Sequence, residues 1–149
     1  MSKRWGEPTW YFFHTFIEKI TEEFYNKNSE KCIKIYKTIC FNLPCPICKE
    51  HAMNYIKNHK IDRMLTRDLM KNFLFNFHNN VNKQLKKPEQ NINILEQYKK
   101  ITISKAYQFF NQEFYKKDYV SRHFSGWLKN TIKPDLDKFM ISNISHFKE

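Results

Sequence analysis

A chain of 149 residues is long enough to bury one sizeable core and too short for two comfortable domains. With only 2 Gly and 5 Pro it lacks the tight-turn residues that an all-β fold requires, so a mostly helical fold is expected. The net charge of +11 points to polyanions (nucleic acid, an acidic membrane surface or a phosphate-bearing cofactor) and does not by itself choose among them.

The N-terminus runs from Met1-Ser2-Lys3-Arg4 directly into Trp5-Gly6, without the apolar stretch of a secretory signal. No apolar run approaches the roughly 20 residues of a bilayer span. The expectation is a soluble protein made in a reducing compartment, where a C-x-x-C pair serves catalysis or metal binding rather than a structural disulfide.

Trp10, Phe13, Ile17, Ile20 and Phe24 fall at helical spacing and predict one amphipathic helix over about 8–27, with Pro8 at its start. Asn28-Ser29 punctuates, and a second helix over about 29–43 turns Ile33, Tyr36, Ile39, Cys40 and Leu43 inward. Next comes Leu43-Pro44-Cys45-Pro46-Ile47-Cys48-Lys49-Glu50-His51. A proline in the first turn and no breaker up to Lys57 predict a helix over about 46–59 that opens on the two thiols. A thiolate is favoured at that positive end.

A fourth helix is predicted from about Thr66 or Arg67 to Lys86, on the stripe Leu74, Phe77, Val81, Leu85, and Lys87-Pro88 stops it. A fifth over about 92–115 carries Ile94, Tyr98, Ile101 and Tyr107, with Ile103 off that stripe. Short connections between the first four suit an antiparallel bundle. Beyond about 117, Asp118 to Ser125 reads as a loop, Gly126-Trp127 as a break and Pro134 to Ile144 as a last short helix. Tyr119, Phe124, Trp127, Phe139 and Phe147 make this tail aromatic enough to pack on something.

Two polar strips accompany the thiols. On the fourth helix His78, Asn82 and Lys86 are spaced i, i+4, i+8, with Asn79 and Lys83 beside them. Amide and imidazole groups can meet a heteroaromatic edge, and lysines can neutralise phosphates, so the strip suits a nucleotide-bearing cofactor. A plain solvated face is the alternative, against which stands the low helix propensity of three clustered Asn residues. On the first helix Trp10 and His14 are again i, i+4, able to stack on a flat ring or to serve as core and rim. Gly6, just ahead, would let a ligand approach the backbone closely. Cys45, Cys48, His51 and His59 also offer the four N/S ligands of a zinc site, though three of them fall within one helical start. A basic nucleic-acid binder is the other alternative.

Gly6-x-x-x-Trp10-x-x-x-His14, Cys45-Pro46-Ile47-Cys48 and His78-Asn79-x-Val81-Asn82-Lys83, in that order, resemble the Erv/ALR family of FAD-linked sulfhydryl oxidases over residues 5 to about 100. Pro44 and His51 are most similar to the short viral members. The resemblance implies an all-α fold, a four-helix bundle plus a short fifth helix, here with a helical C-terminal extension. Residues 1–116 would be the FAD-binding domain, and 117–149 an extension packing on the bundle or on a partner. It implies that Cys45 exchanges with the substrate and that Cys48 lies beside the flavin, where the helix N-terminus would stabilise its thiolate. Gly6, Trp10, His14, Cys48, His51, His78, Asn79, Val81, Asn82, Lys83, Lys86 and Tyr98 would hold FAD, with no metal site. Electrons would pass from dithiol to flavin to O2, giving H2O2.

No cysteine follows Cys48, so the pair that staples the last helix in many cellular members is absent. A shuttle dithiol is absent too, which implies a separate dithiol carrier, such as a thioredoxin-like protein, as partner. Cys32 and Cys40 are about 12 Å apart along one helix and cannot bridge each other. Cys40 falls on the apolar face, and Cys32 could pair across a dimer interface. A homodimer is implied, as is service to viral disulfide formation in the cytoplasm of an infected host cell, with packaging in the virion as a variant.

Overall fold

The computed structural model describes residues 5–116 and 126–149. Helix α1 (Gly6–Lys19) buries Phe12, Phe13, Phe16 and Ile17. Its apolar period continues through Ile20 and Phe24, yet the helix stops at Lys19, so the single helix expected over 8–27 is two. Ile20 is extended, and Thr21 caps α2 (Glu22–Lys27), accepting the Phe24 N–H at 3.3 Å. Glu22 and Glu23 occupy the positive first turn.

The C-terminus fills this break. Thr21 N–H donates to the His146 carbonyl at 2.9 Å, and Lys148 N–H donates to the Lys19 carbonyl at 2.7 Å. Between them Phe147 is buried, edge-on to Phe16 at 5.1 Å. Backbone groups that leave a helix need partners, and here a segment over 120 positions away in sequence supplies them.

Helix α3 (Ser29–Cys40) buries Cys32, Ile33, Tyr36, Ile39 and Cys40. It ends ahead of the expected 43 because Asn42 folds its amide back onto the Thr38 carbonyl at 2.7 Å. Helix α4 (Pro46–Asn58) turns Ala52, Tyr55 and Ile56 inward. Helix α5 (Arg67–Gln84), capped by Thr66, buries Met70, Phe73, Leu74 and Phe77.

Helix α5 stops two residues before the expected Lys86. Lys86 has a left-handed φ of 57°, with its N–H on the Lys83 carbonyl (3.2 Å) and the Lys87 N–H on the Asn82 carbonyl (2.8 Å). This helix stop favours Gly, because a Cβ crowds the carbonyl there. Lys86→Gly is therefore expected to stabilise the fold by about 0.5–1 kcal/mol, read as a higher urea midpoint at unchanged slope. A lower midpoint would show that the lysine side chain contributes more than its backbone strain costs.

The helix expected over 92–115 is also divided. A 3₁₀ segment (Ile92–Lys100) precedes α6 (Ile103–Phe114), which Thr102 caps by accepting the Lys105 N–H at 3.2 Å. Ile103 falls off the earlier stripe because it begins a new element, whose own buried face is Ile103, Ala106, Phe110 and Phe114. Phe12 of α1 meets Phe110 at 5.1 Å and Tyr107 at 5.2 Å.

The expected loop Asp118 to Ser125, with Tyr119 and Phe124, lies outside the described residues. Gly126-Trp127, expected as a break, is helical and leads through a wider π turn (Leu128–Ile132) into α7 (Lys133–Asn143). Leu128, Ile132, Leu136 and Met140 join the core, and Phe139 lies 6.1 Å from Phe16. Tyr107 donates to Asp137 at 2.6 Å, and Lys133 pairs with the same carboxylate at 2.7 Å. The architecture is all-α, helix on helix around one aromatic core, with no strand among the described residues.

Candidate active site

Cys45 is the cap of α4, in extended conformation, and Pro46 takes the first turn, where its missing N–H leaves no carbonyl wanting. The Cys48 N–H donates to the Cys45 sulfur at 3.3 Å. The open end of the helix thus supports negative charge on Cys45, whereas the resemblance implied that support for Cys48. The reason is positional: the cap residue, not the third helical one, faces the orphan N–H groups. Both cysteines are half-buried.

Cys48 lines a cleft of about 1280 Å³ between α1, α4, α5 and the 3₁₀ segment. Gly6, Trp10, His14, His51, His78, Asn79, Val81, Asn82 and Tyr98 line the same cleft. Cys45 is not among the lining residues, so the two sulfurs of the pair stand differently towards it. Lys83 and Lys86 do not line it either. Both are exposed at its rim, each flanked by residues that do: Asn82 and Gln84, Leu85 and Lys87. Lys86 leaves the strip of His78 and Asn82 because its backbone has already left the helix.

Flat side chains dominate one wall. The Trp10 and His78 rings are parallel at 4.0 Å and 6°, and His14 stacks on Tyr98 at 4.8 Å. His14 Nε2 and His78 Nδ1 share a hydrogen bond of 2.9 Å, so one proton serves both nitrogens. Burial, then the neighbouring His78, draws His14 down to about 3, and burial, then Lys87, draws His78 down to about 4. The wall is therefore neutral at pH 7. The far nitrogen of His14, Nδ1, is buried without a partner, and an unpaired buried polar group is costly unless something meets it.

These depressed values give a sign. Both imidazoles bind fewer protons folded than unfolded, so their contribution is complete above about 6.5 and is lost as the pH falls towards 4 and then 3. Stability is expected to drop by a few kcal/mol, to order of magnitude, over that window, and the drop to shrink in His14→Asn. Urea midpoints at successive pH values check this, and an unchanged slope in the variant would contradict it.

Asn79 spends its amide on the chain. Its Oδ1 accepts from the Gln90 N–H (2.8 Å) and from Asn82 Nδ2 (3.3 Å), while its Nδ2 donates to the Gln90 carbonyl (2.9 Å). The residue expected to touch a cofactor thus also pins the loop after α5 to the cleft wall. Gln90 and Lys87 of that loop line the cleft. Sequence reading missed both; only the Lys86-Lys87 doublet beside the Asn cluster hinted at the second.

Elsewhere the thiols are inert. Cys32 and Cys40 are buried with free thiols, and burial pushes Cys32 up to about 12 and Cys40 higher still. At 0% exposure Cys32 has no path to a second chain, against the expectation of a cross-dimer pair. The residues of the zinc alternative are not gathered: His59 stacks on Tyr55, and no group of three or more His, Cys, Asp or Glu suited to a metal occurs among the described residues. No helix among them is long and apolar enough to cross a membrane.

Fold and site together define a helical bundle that presents a C-x-x-C pair at the mouth of a large, flat-walled cleft. The Erv1 / Alr family model matches residues 7–102, and the chain belongs to that family. It is similar to the "Putative FAD-linked sulfhydryl oxidase 096R" of Invertebrate iridescent virus 3, with 32% identity over 88 residues, covering 58% of this chain and 60% of that protein. It is also similar to the "Putative FAD-linked sulfhydryl oxidase 347L" of Invertebrate iridescent virus 6, with 32% identity over 90 residues, covering 56% of this chain and 81% of the relative. The "FAD-linked sulfhydryl oxidase" of African swine fever virus is 29% identical over 83 residues, covering 56% of this chain and 69% of the relative. The chain thus spans under two thirds of the first relative's length. No solved structure matches it significantly.

Proposed function

We propose that this chain is a thiol oxidase that holds FAD in the cleft, forms disulfides in partner proteins and passes the electrons to O2, releasing H2O2. The observation that carries the reading is the split of the dithiol: Cys48 lines the cleft and Cys45 caps the helix outside it. The residues suit the cofactor. The volume exceeds the few hundred to 1,000 Å³ of an ordinary small-ligand site. Parallel rings offer stacking to a flat heterocycle, the unpartnered His14 Nδ1 offers a hydrogen bond, and Lys87 brings a cation for phosphate.

In the oxidised form a substrate thiolate attacks the Cys45 sulfur, forming a mixed disulfide and releasing the Cys48 thiolate on the cleft side. The second substrate thiolate then attacks the substrate sulfur of that mixed disulfide and expels Cys45 as a thiolate. That departure is eased by the N–H groups of the α4 start, since a stabilised leaving thiolate departs faster. Two protons are released, and two electrons rest on the Cys45–Cys48 pair, with Cys48 facing the cleft. A flavin bound there supplies the two-electron acceptor and the route to O2. The neutral His14–His78 pair keeps charge off the wall.

With no shuttle dithiol in the chain, we read its partner as a separate dithiol carrier, thioredoxin-like in type, with a homodimer as the working form. We read its role as making disulfides in the cytoplasm of an infected cell, and the viral origin of the relatives supports the host-cell setting. Purified protein is expected to be yellow, to release FAD on denaturation and to consume O2 when given dithiothreitol, with peroxide equal to the O2 consumed. A colourless protein that takes up no FAD would overturn the reading.

A further inference from the structure

We infer that Lys19 is a positioning residue for the cofactor cleft. Its buried ammonium fastens the 3₁₀ wall that carries Tyr98 to the C-terminal strap (residues 146–149), so that the C-terminal extension sets how tightly FAD is held. This rests on the reading of the cleft as an FAD site and gives the extension a part in it.

The 3₁₀ segment is the wall most in need of fastening. Runs of 3₁₀ helix beyond three or four residues are uncommon because their hydrogen bonds are poorly aligned, and this one has 9 residues. Ile94, Leu95, Gln97 and Tyr98 of the segment line the cleft. Its leading end is tied to α5, where Asn79 pairs with both the N–H and the carbonyl of Gln90. At its trailing end the last carbonyls need partners from outside the helix. Lys19 reaches one of them: its Nζ donates to the Lys99 carbonyl at 2.5 Å. The preceding residue, Tyr98, stacks on His14 at 4.8 Å and stands edge-on to Tyr11 at 5.8 Å. Tyr11, His14 and Lys19 all belong to α1, so the ammonium ties the wall to the same helix that its aromatic ring must meet.

The strap meets the same side chain. Lys19 Nζ also donates to the Glu149 carbonyl at 3.2 Å, and the Lys148 N–H returns to the Lys19 carbonyl at 2.7 Å. Lys19 is only 7% exposed, and a cation so deeply buried is favourable only where acceptors replace its water. Here one acceptor comes from the 3₁₀ wall and the other from the strap. Glu18, its neighbour in sequence, turns its carboxylate to Lys71 at 2.8 Å. Withdrawing either carbonyl leaves the ammonium short of an acceptor, so each segment holds the other in place. Phe147, buried against Phe16, anchors the strap.

The test makes two measurements on the full chain: amide hydrogen exchange of the FAD-free protein by mass spectrometry, and the FAD dissociation constant by flavin fluorescence. Lys19→Met is expected to speed exchange over residues 92–101 by about ten-fold relative to residues 70–77 of α5, and to weaken FAD binding by about ten-fold. Lys19→Arg, which keeps a cation with N–H donors, is expected to lie closer to wild type than to Lys19→Met in both readings. Phe147→Ala loosens the strap and is expected to move both readings in the direction of Lys19→Met. Ile33→Ala, in the core of α3, supplies a loss of stability away from the wall and is expected to leave the relative exchange and the FAD affinity unchanged. If Lys19→Met does not fold, Lys19→Gln takes its place with the same expectations. Exchange that rises equally over the wall and α5, wild-type FAD affinity in Lys19→Met, or an unmoved wall in Phe147→Ala overturns the inference. So does Ile33→Ala weakening FAD binding as much as Lys19→Met, since Lys19 would then act through stability alone. A wild type that takes up no FAD overturns the oxidase reading and the inference with it; the other contrary results, with FAD bound by the wild type, overturn the inference alone.

Discussion

Cys48→Ser and Cys45→Ser are each expected to lower dithiol-dependent O2 uptake by about three orders of magnitude or more, because each removes a sulfur that the exchange sequence cannot replace. The two variants should fail differently. Without Cys48 the Cys45 sulfur has no internal partner, so a substrate thiol captured there stays as a mixed disulfide. Without Cys45 the cleft-side sulfur remains, but the more accessible point of attack is gone. Neither sulfur belongs to the apolar core, so the folded bundle and its flavin content should persist in both. Mass spectrometry of the trapped adduct and O2 electrode traces check this. Activity within ten-fold of wild type in either variant would contradict the assignment.

Phe16→Ala is expected to cost about 3–5 kcal/mol, a large part of the roughly 5–15 kcal/mol that holds a domain together. Phe16 is wholly buried and meets rings from three other places: Tyr36 of α3 at 5.4 Å, Phe139 of α7 at 6.1 Å and Phe147 of the terminal strap at 5.1 Å. Its removal loosens the bundle and the C-terminal segment together. Aromatic packing and two strap hydrogen bonds at the α1–α2 break tie the C-terminal segment to the bundle. Denaturant midpoints measure the cost, and a loss under about 1 kcal/mol would mean that the tail is not part of the cooperative unit.

The helical stripes and the helix-opening dithiol were readable in the sequence because they are local. Pro46 in the first turn follows from a proline after a cap-competent residue, and the inward faces of α3 and α5 follow from 3.6-residue spacing. What escaped depends on distant partners. The apolar period runs straight across Ile20-Thr21, and the break there becomes favourable only because residues 146–148 supply the backbone partners. Thr21-Glu22-Glu23 and Thr102 were the cap signals that an unbroken stripe overrode.

At the site, Gly6, Trp10, His14 and the His78 cluster were visible as motifs, whereas the bond between His14 and His78 joins positions 64 apart in sequence. Lys86 leaves the strip it was expected to share with His78 and Asn82 because the chain turns left-handed there, which a regular helical spacing cannot foresee. Cys45, not Cys48, receives the helix-end N–H for a similar reason: one residue decides which side of the cap a sulfur takes.

In the proposed reaction Cys48 delivers the electrons into the cleft. Anaerobic titration of the FAD-loaded protein with a dithiol tests it most directly. The wild type is expected to bleach, each equivalent of dithiol reducing one flavin once the Cys45–Cys48 pair is itself reduced, and Cys48→Ser is expected to keep its yellow colour throughout. Bleaching of the variant at the wild-type rate would show that electrons reach the flavin by another path and would contradict the account.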